Sequence, residues 1–208
     1  MISGTWELDE PQAPDHGYRT GRIKLGTESS GGFKNITVTN CIFEHCRGLA
    51  LETVDGGHLE DIEISHITMR HIVNAGIFLR LGARMRSPEG TPAGSMKRIR
   101  ISHINAYDVD SRYSSIISGI PNGIIEDVTF DHIHLYYKGG YTKEDGKREL
   151  PEQEKIYPEP WMFGTIPAKG FYISHAKNIS FHHINFYYEK PDGRPLFVTK
   201  DVENIRLT

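Results

Sequence analysis

Ile62-Glu-Ile64-Ser-His66-Ile67 is the stretch that decides the fold, because the chain repeats it with changed residues. The other copies are Ile36-Thr-Val38-Thr-Asn40-Cys41, Ile99-Arg-Ile101-Ser-His103-Ile104, Val128-Thr-Phe130-Asp-His132-Ile133 and Ile179-Ser-Phe181-His-His183-Ile184, with a shortened one at Ile205-Arg-Leu207. Each alternates apolar and polar residues with period two and is rich in Ile, Val and Thr, the pattern of a short strand. One such unit cannot bury its apolar face, but a stack of them can.

The first apolar residues of the copies are spaced by 26, 37, 29, 51 and 26 residues, a period in the mid-twenties with insertions. That step fits one turn of a parallel β-helix with short strands and falls short of the ~40 to 45 residues of a propeller blade. A second family of alternating runs supports it: Ile23-Lys-Leu25-Gly-Thr27, Leu49-Ala-Leu51-Glu-Thr53, Ile77-Phe-Leu79-Arg-Leu81, Ser115-Ile-Ile117-Ser-Gly119, Phe171-Tyr-Ile173 and Leu196-Phe-Val198. No long segment keeps a helical period. The expected architecture is all-β, one stacked domain over 1–208 with about six coils, an irregular segment at 1–19, and loop insertions at 84–95 and 139–167.

Composition narrows the function. Basic and acidic residues number 24 and 27, which points away from nucleic acid, and no apolar run approaches the ~20 residues of a membrane span. Met1-Ile-Ser-Gly-Thr-Trp6 does not read as a secretory signal, so the chain reads as soluble, and a place outside the cytoplasm implies a leader removed or lying upstream. Cys41 and Cys46 make no disulfide framework, and Cys41 occupies the register held elsewhere by Ile67, Ile104, Ile133 and Ile184, a core position. Asn40, His66, His103, His132 and His183 also share one register, about 4.8 Å apart on successive coils, and read as a structural hydrogen-bonding ladder. No metal site or cofactor is expected.

The outward residues of the second strands carry the candidate chemistry. Glu52 and Arg80 fall on adjacent rungs within reach of a charge pair, and Lys24 is diagonal to Glu52. With Glu28 and Asp55 they have the residue types of a polar substrate groove, in which carboxylates bind hydroxyls or move protons and cations hold an acidic sugar. The same pattern also describes a solvated salt-bridge face. Tyr141, Tyr157, Trp161 and Phe163 give the second insertion aromatic faces that either stack on sugar rings or pin the loop.

Thr20-Gly-Arg-Ile-Lys-Leu-Gly-Thr-Glu-Ser29, the following Gly-Gly-Phe-Lys-Asn-Ile-Thr-Val-Thr-Asn-Cys41, Arg47-Gly-Leu-Ala-Leu-Glu-Thr53, Ile117-Ser-Gly-Ile-Pro121 and Tyr157-Pro-Glu-Pro-Trp-Met-Phe163 resemble the later coils of glycoside hydrolase family 28. This is the polygalacturonase and rhamnogalacturonase family, and the phrasing is most similar to its Bacteroides-type members. The resemblance covers about residues 18 to 208. It implies a right-handed, pectin-lyase-like parallel β-helix, a periplasmic or secreted parent, and hydrolysis of pectic polysaccharide with inversion by paired carboxylic acids. The family keeps its acids in Asn-Thr-Asp and Asp-Asp motifs on earlier coils, and this sequence contains neither. The family's Gly-His-Gly aligns with Thr20-Gly21-Arg22, and its Arg-Ile-Lys triplet with Ala50-Leu51-Glu52.

The expectation is therefore the C-terminal portion of a pectin-directed hydrolase without its main catalytic aspartates. Lys24, Glu52, Arg80 and Trp161 are the substrate-binding candidates, and Glu28, Glu52 and Asp55 the candidates for a catalytic site of its own. An uncapped first coil would favour self-association. The alternative is a noncatalytic carbohydrate-binding or structural β-helix.

Overall fold

Ile36, Ile62, Ile99, Val128, Ile179 and Ile205 lie side by side in one parallel ladder, as the repeat predicts. The structure is a computed structural model that describes residues 23–208 and the backbone of Ile2–Ser3. Its strands are β1 (Ile2–Ser3), β2 (Lys24–Leu25), β3 (Phe33–Glu44), β4 (Leu49–Thr53), β5 (His58–Ile72), β6 (Ile77–Leu81), β7 (Ser95–Val109), β8 (Ser115–Ser118), β9 (Ile125–Tyr137), β10 (Phe171–Tyr188) and β11 (Phe197–Leu207).

The long strands β3, β5, β7, β9, β10 and β11 pair in that order as one row, and the short strands β2, β4, β6 and β8 form a second. The two rows join in β10, whose first residues pair with β8 and whose remainder pairs with β9. Every named strand pair is parallel, so the chain winds round an axis as an all-β solenoid. No helix among the described residues is long and apolar enough to cross a membrane.

The long strands differ from the short units that the pattern predicts, and the reason is a backbone device. Asn40, His66, His103, His132 and His183 all have φ between 51 and 58°. A single left-handed residue turns the chain while the ladder continues on both sides of it, so the histidines sit inside the strands, as bends. A second column of bends, Asn35, Asp61, Arg98, Asp127, Asn178 and Asn204, lies at φ 54 to 58°. Asn, Asp and His tolerate this region best among residues with a Cβ. The side chains then stack: imidazole centroids are 4.6 Å apart from His66 to His103, 5.1 Å from His103 to His132 and 4.4 Å from His132 to His183.

Alternation does the rest. Ile64, Ile101 and Phe130 on the long row and Leu51, Leu79 and Ile117 on the short row, with Ile173 from the start of β10, fill one continuous apolar core. Cys41 packs against that core at its predicted register opposite Ile67, and neither cysteine is in a disulfide. At the start of the chain, the backbone of Ile2–Ser3 pairs with Phe43–Glu44, within the segment expected to be irregular. The remainder of the predicted segment 1–19, and with it the expected opening of the first coil, lies outside the described residues.

Candidate functional site

The outward face of the short row is itself apolar along one column: Ala50, Phe78, Ile116 and Tyr172 are successive register partners, with Lys24 the polar end of the column. A sheet apolar on both faces needs a cover. Residues 139–167 supply it. The insertion folds back as a strap, and Leu150, Met162, Phe163 and Ile166 form a second apolar cluster with Ala50, Phe78, Ile116 and Tyr172. Its short 3-10 turn at Pro160–Phe163 sets Trp161 against this cluster, half-buried.

The neighbouring outward column is polar: Glu52, Arg80, Ser118 and Ser174 are register partners in turn. The predicted adjacency of Glu52 and Arg80 holds, but both are buried, at 0% and 1% exposure, with the strap lying against Arg80 and with Lys24 and Thr27 against Glu52. Arg80 donates from Nη1 to Ser118 Oγ at 2.7 Å and Gly119 O at 3.1 Å, and from Nη2 to Glu152 O at 2.9 Å and Gln153 O at 3.0 Å. Its guanidinium also lies over the Phe163 ring. Burial lowers the Arg80 pKa to about 10, against the pull of Glu152 and Glu154, which still leaves it a cation at neutral pH. Arg80 is thus a rivet between stack and strap.

Where the strap meets the first short strands, a cleft of about 330 Å³ opens, lined by Lys24, Gly26, Thr27, Glu28, Arg47, Tyr157 and Glu159. Lys24 is its centre. Lys24 Nζ is 2.9 Å from Glu52 Oε2 and 3.3 Å from Glu159 Oε1, and it sits 5.2 Å from the centroid of the Tyr157 ring. Glu52 Oε2 also accepts from Thr27 Oγ1 at 3.2 Å, and Glu159 Oε2 accepts from Asn74 Nδ2 at 3.1 Å. Arg47 Nη1 stands 3.9 Å from Glu159 Oε1. The Glu52 and Glu159 side chains are only 0% and 2% exposed, whereas Lys24 and Arg47 keep 18% and 12%. The carboxylates hold the floor, and the cations reach the cleft.

A second charged cluster fixes the rim. Arg84 donates from Nε to Asp55 Oδ1 at 3.1 Å and from Nη2 to Asp55 Oδ2 and Glu28 Oε1, while the Arg86 amide donates to Asp55 Oδ1. Burial pushes the Asp55 carboxyl up, but Arg84 and the Arg86 amide outweigh it and hold it below the usual range. Glu28, fully at the surface, is also held low, by a backbone hydrogen bond and by Arg84. Asp55 therefore anchors the start of the 84–95 insertion. A general acid at neutral pH needs the opposite shift.

Of the residues singled out in the sequence, Lys24 and Glu28 line the cleft and Glu52 lies at its floor, while Asp55 stands behind its rim and Arg80 and Trp161 belong to the strap contact. Glu159, Arg47 and Asn74 are not among the sequence's site candidates, although Arg47 and Glu159 lie inside the motifs Arg47–Thr53 and Tyr157–Phe163. Glu159 meets Lys24 across 135 residues of chain. For metals, Asp131, His132 and His183 form one group of donors, with ligand atoms within 4.8 Å of one another.

Fold and site define a parallel β-solenoid with a strap-covered face and a charged, aromatic-edged cleft. No protein-family model matches the chain, and neither the curated proteins nor the solved structures yield a match.

Proposed function

We propose that this chain is a right-handed, pectin-lyase-like β-helix of about six coils, related to glycoside hydrolase family 28, whose cleft binds acidic pectic oligosaccharide. The observation that carries the reading is Lys24, an ordered cation between two buried carboxylates and beside the Tyr157 ring. Sugar recognition draws on these groups together: an aromatic side chain offers its apolar face, and a fixed ammonium attracts a uronate carboxylate. A right-handed winding agrees with the usual hand of parallel crossovers.

Binding is favoured over turnover by the ionised state of Glu28 and Asp55, both held low and both committed to Arg84. In a hydrolase of this kind the segment forms a groove wall, and the proton donor comes from coils other than those described. The test is a titration of the full chain with oligogalacturonate and with neutral oligosaccharides, run beside an assay for new reducing ends. Binding of the acidic sugar without cleavage is expected. Turnover abolished by Glu52→Gln would overturn the noncatalytic part, and no binding to any of these sugars would overturn the whole reading.

A further inference from the structure

The geometry at one rung of the histidine ladder points to a second site: we propose that Asp131, His132 and His183 bind a divalent transition-metal ion of the zinc or nickel class. His132 Nδ1 lies 2.7 Å and His183 Nδ1 3.2 Å from the same oxygen, Asp131 Oδ1. Two imidazoles and one carboxylate already converge there, and a cation at that point takes the place of the protons they share. Two imidazoles and a carboxylate suit zinc, nickel or copper, whereas calcium and magnesium favour all-oxygen sets.

The donors are held by the fold. Asp131 and His132 belong to β9 and His183 to β10, adjacent rungs fixed by the Ile133 and Ile184 pairing. Both histidines are left-handed bends, at φ 51° and 54°, which sets the direction of each side chain. His103 stacks on the far face of His132 with an interplanar angle of 2°, limiting its tilt. The three side chains remain 35%, 49% and 66% exposed, so water can complete the coordination sphere.

The ladder alone does not require this arrangement. Ser65 and Ser102 are the register partners of Asp131 on the preceding rungs, beside His66 and His103. Thr39 and His182 hold the same register on the flanking rungs, so among Thr39, Ser65, Ser102, Asp131 and His182 Asp131 is the one carboxylate. Stacking accounts for the histidines, and Asp131 adds to two of them the carboxylate that completes a three-donor set.

The experiment is calorimetric titration of the full chain with Zn²⁺ alone, with Co²⁺ absorption as a second readout. Asp131→Ser and His183→Asn are the informative variants, because the fold already carries Ser102 and Asn40 at those registers. Each is expected to weaken binding by at least about 100-fold, and His66→Asn to leave it unchanged. Absence of Zn²⁺ binding by the native chain, or binding by either variant within about 10-fold of native, overturns the proposal.

Discussion

Glu52 and Arg80 are direct partners across β4 and β6, and their charged ends serve different parts of the molecule. Glu52 receives Lys24 at 2.9 Å and so belongs to the cleft, while Arg80 reaches Glu152 O and Gln153 O at 2.9 and 3.0 Å and so belongs to the strap. The distinction matters for mutation. One residue tunes the ion network at the floor of the cleft, and the other joins buried acceptors of Ser118 and Gly119 to the half-buried carbonyls of the strap.

Arg80→Ala should therefore destabilise the protein by about 3 kcal/mol, since it strands several buried acceptors at once. Arg80→Lys should recover less than half of that, because an ammonium cannot span Ser118, Gly119, Glu152 and Gln153 together. Urea unfolding measures the first effect. Limited proteolysis measures the accompanying release of residues 139–167, and a strap as resistant as in the native protein would contradict the role.

Acid should weaken the fold through Glu60. Its carboxylate accepts from Ser95 Oγ at 2.6 Å and from Arg98 Nη2 at 2.9 Å. The Ser95 hydroxyl foremost, then Arg98, Lys34 and Lys97, hold its pKa down to about 2 against an upward push from burial. A carboxylate depressed by folding stabilises the native state fully above its unfolded pKa and loses that contribution as pH falls through the folded value. The window therefore runs from about 4.5 down to about 2. Glu60→Gln should flatten the loss of stability across it, measured as urea midpoints at steps through the window.

The left-handed bends predict a replacement rule. His103→Asn should cost little, because Asn40 holds the same register at φ 58° while His103 lies at φ 53°. His103→Val should cost about 1 to 2 kcal/mol more, the penalty of a branched side chain in the left-handed region. Equal thermal midpoints for the two variants would mean that stacking, and not the backbone, decides this position.

Some of this was legible in the sequence, and the limit has a physical cause. The marker residues Ile62, Ile99 and Val128 align in the structure as they align in the text, because a period-two pattern over a buried core permits no slip of one residue. Glu52 and Arg80 fall on neighbouring rungs for the same reason. The bends were visible only as a column of polar residues, since His66 reads alike at a surface position and at a left-handed one. Outward Ala50 and Phe78 were a signal of the strap that the pattern of prolines and charges in 139–167 did not reveal. Glu159 lies in the Tyr157–Phe163 motif, but nothing in that motif points to Lys24, because their meeting depends on how a long insertion lies down.

On the proposed function, the cleft reads a carboxylate through Lys24 at its centre. The most direct measurement is the dissociation constant of the full chain for an oligogalacturonate and for the same oligosaccharide fully methyl-esterified, which keeps the sugar and removes the charge. Esterification is expected to weaken binding by at least about 10-fold, or about 1.4 kcal/mol, with the difference shrinking at high salt. Equal or tighter binding of the ester would contradict it.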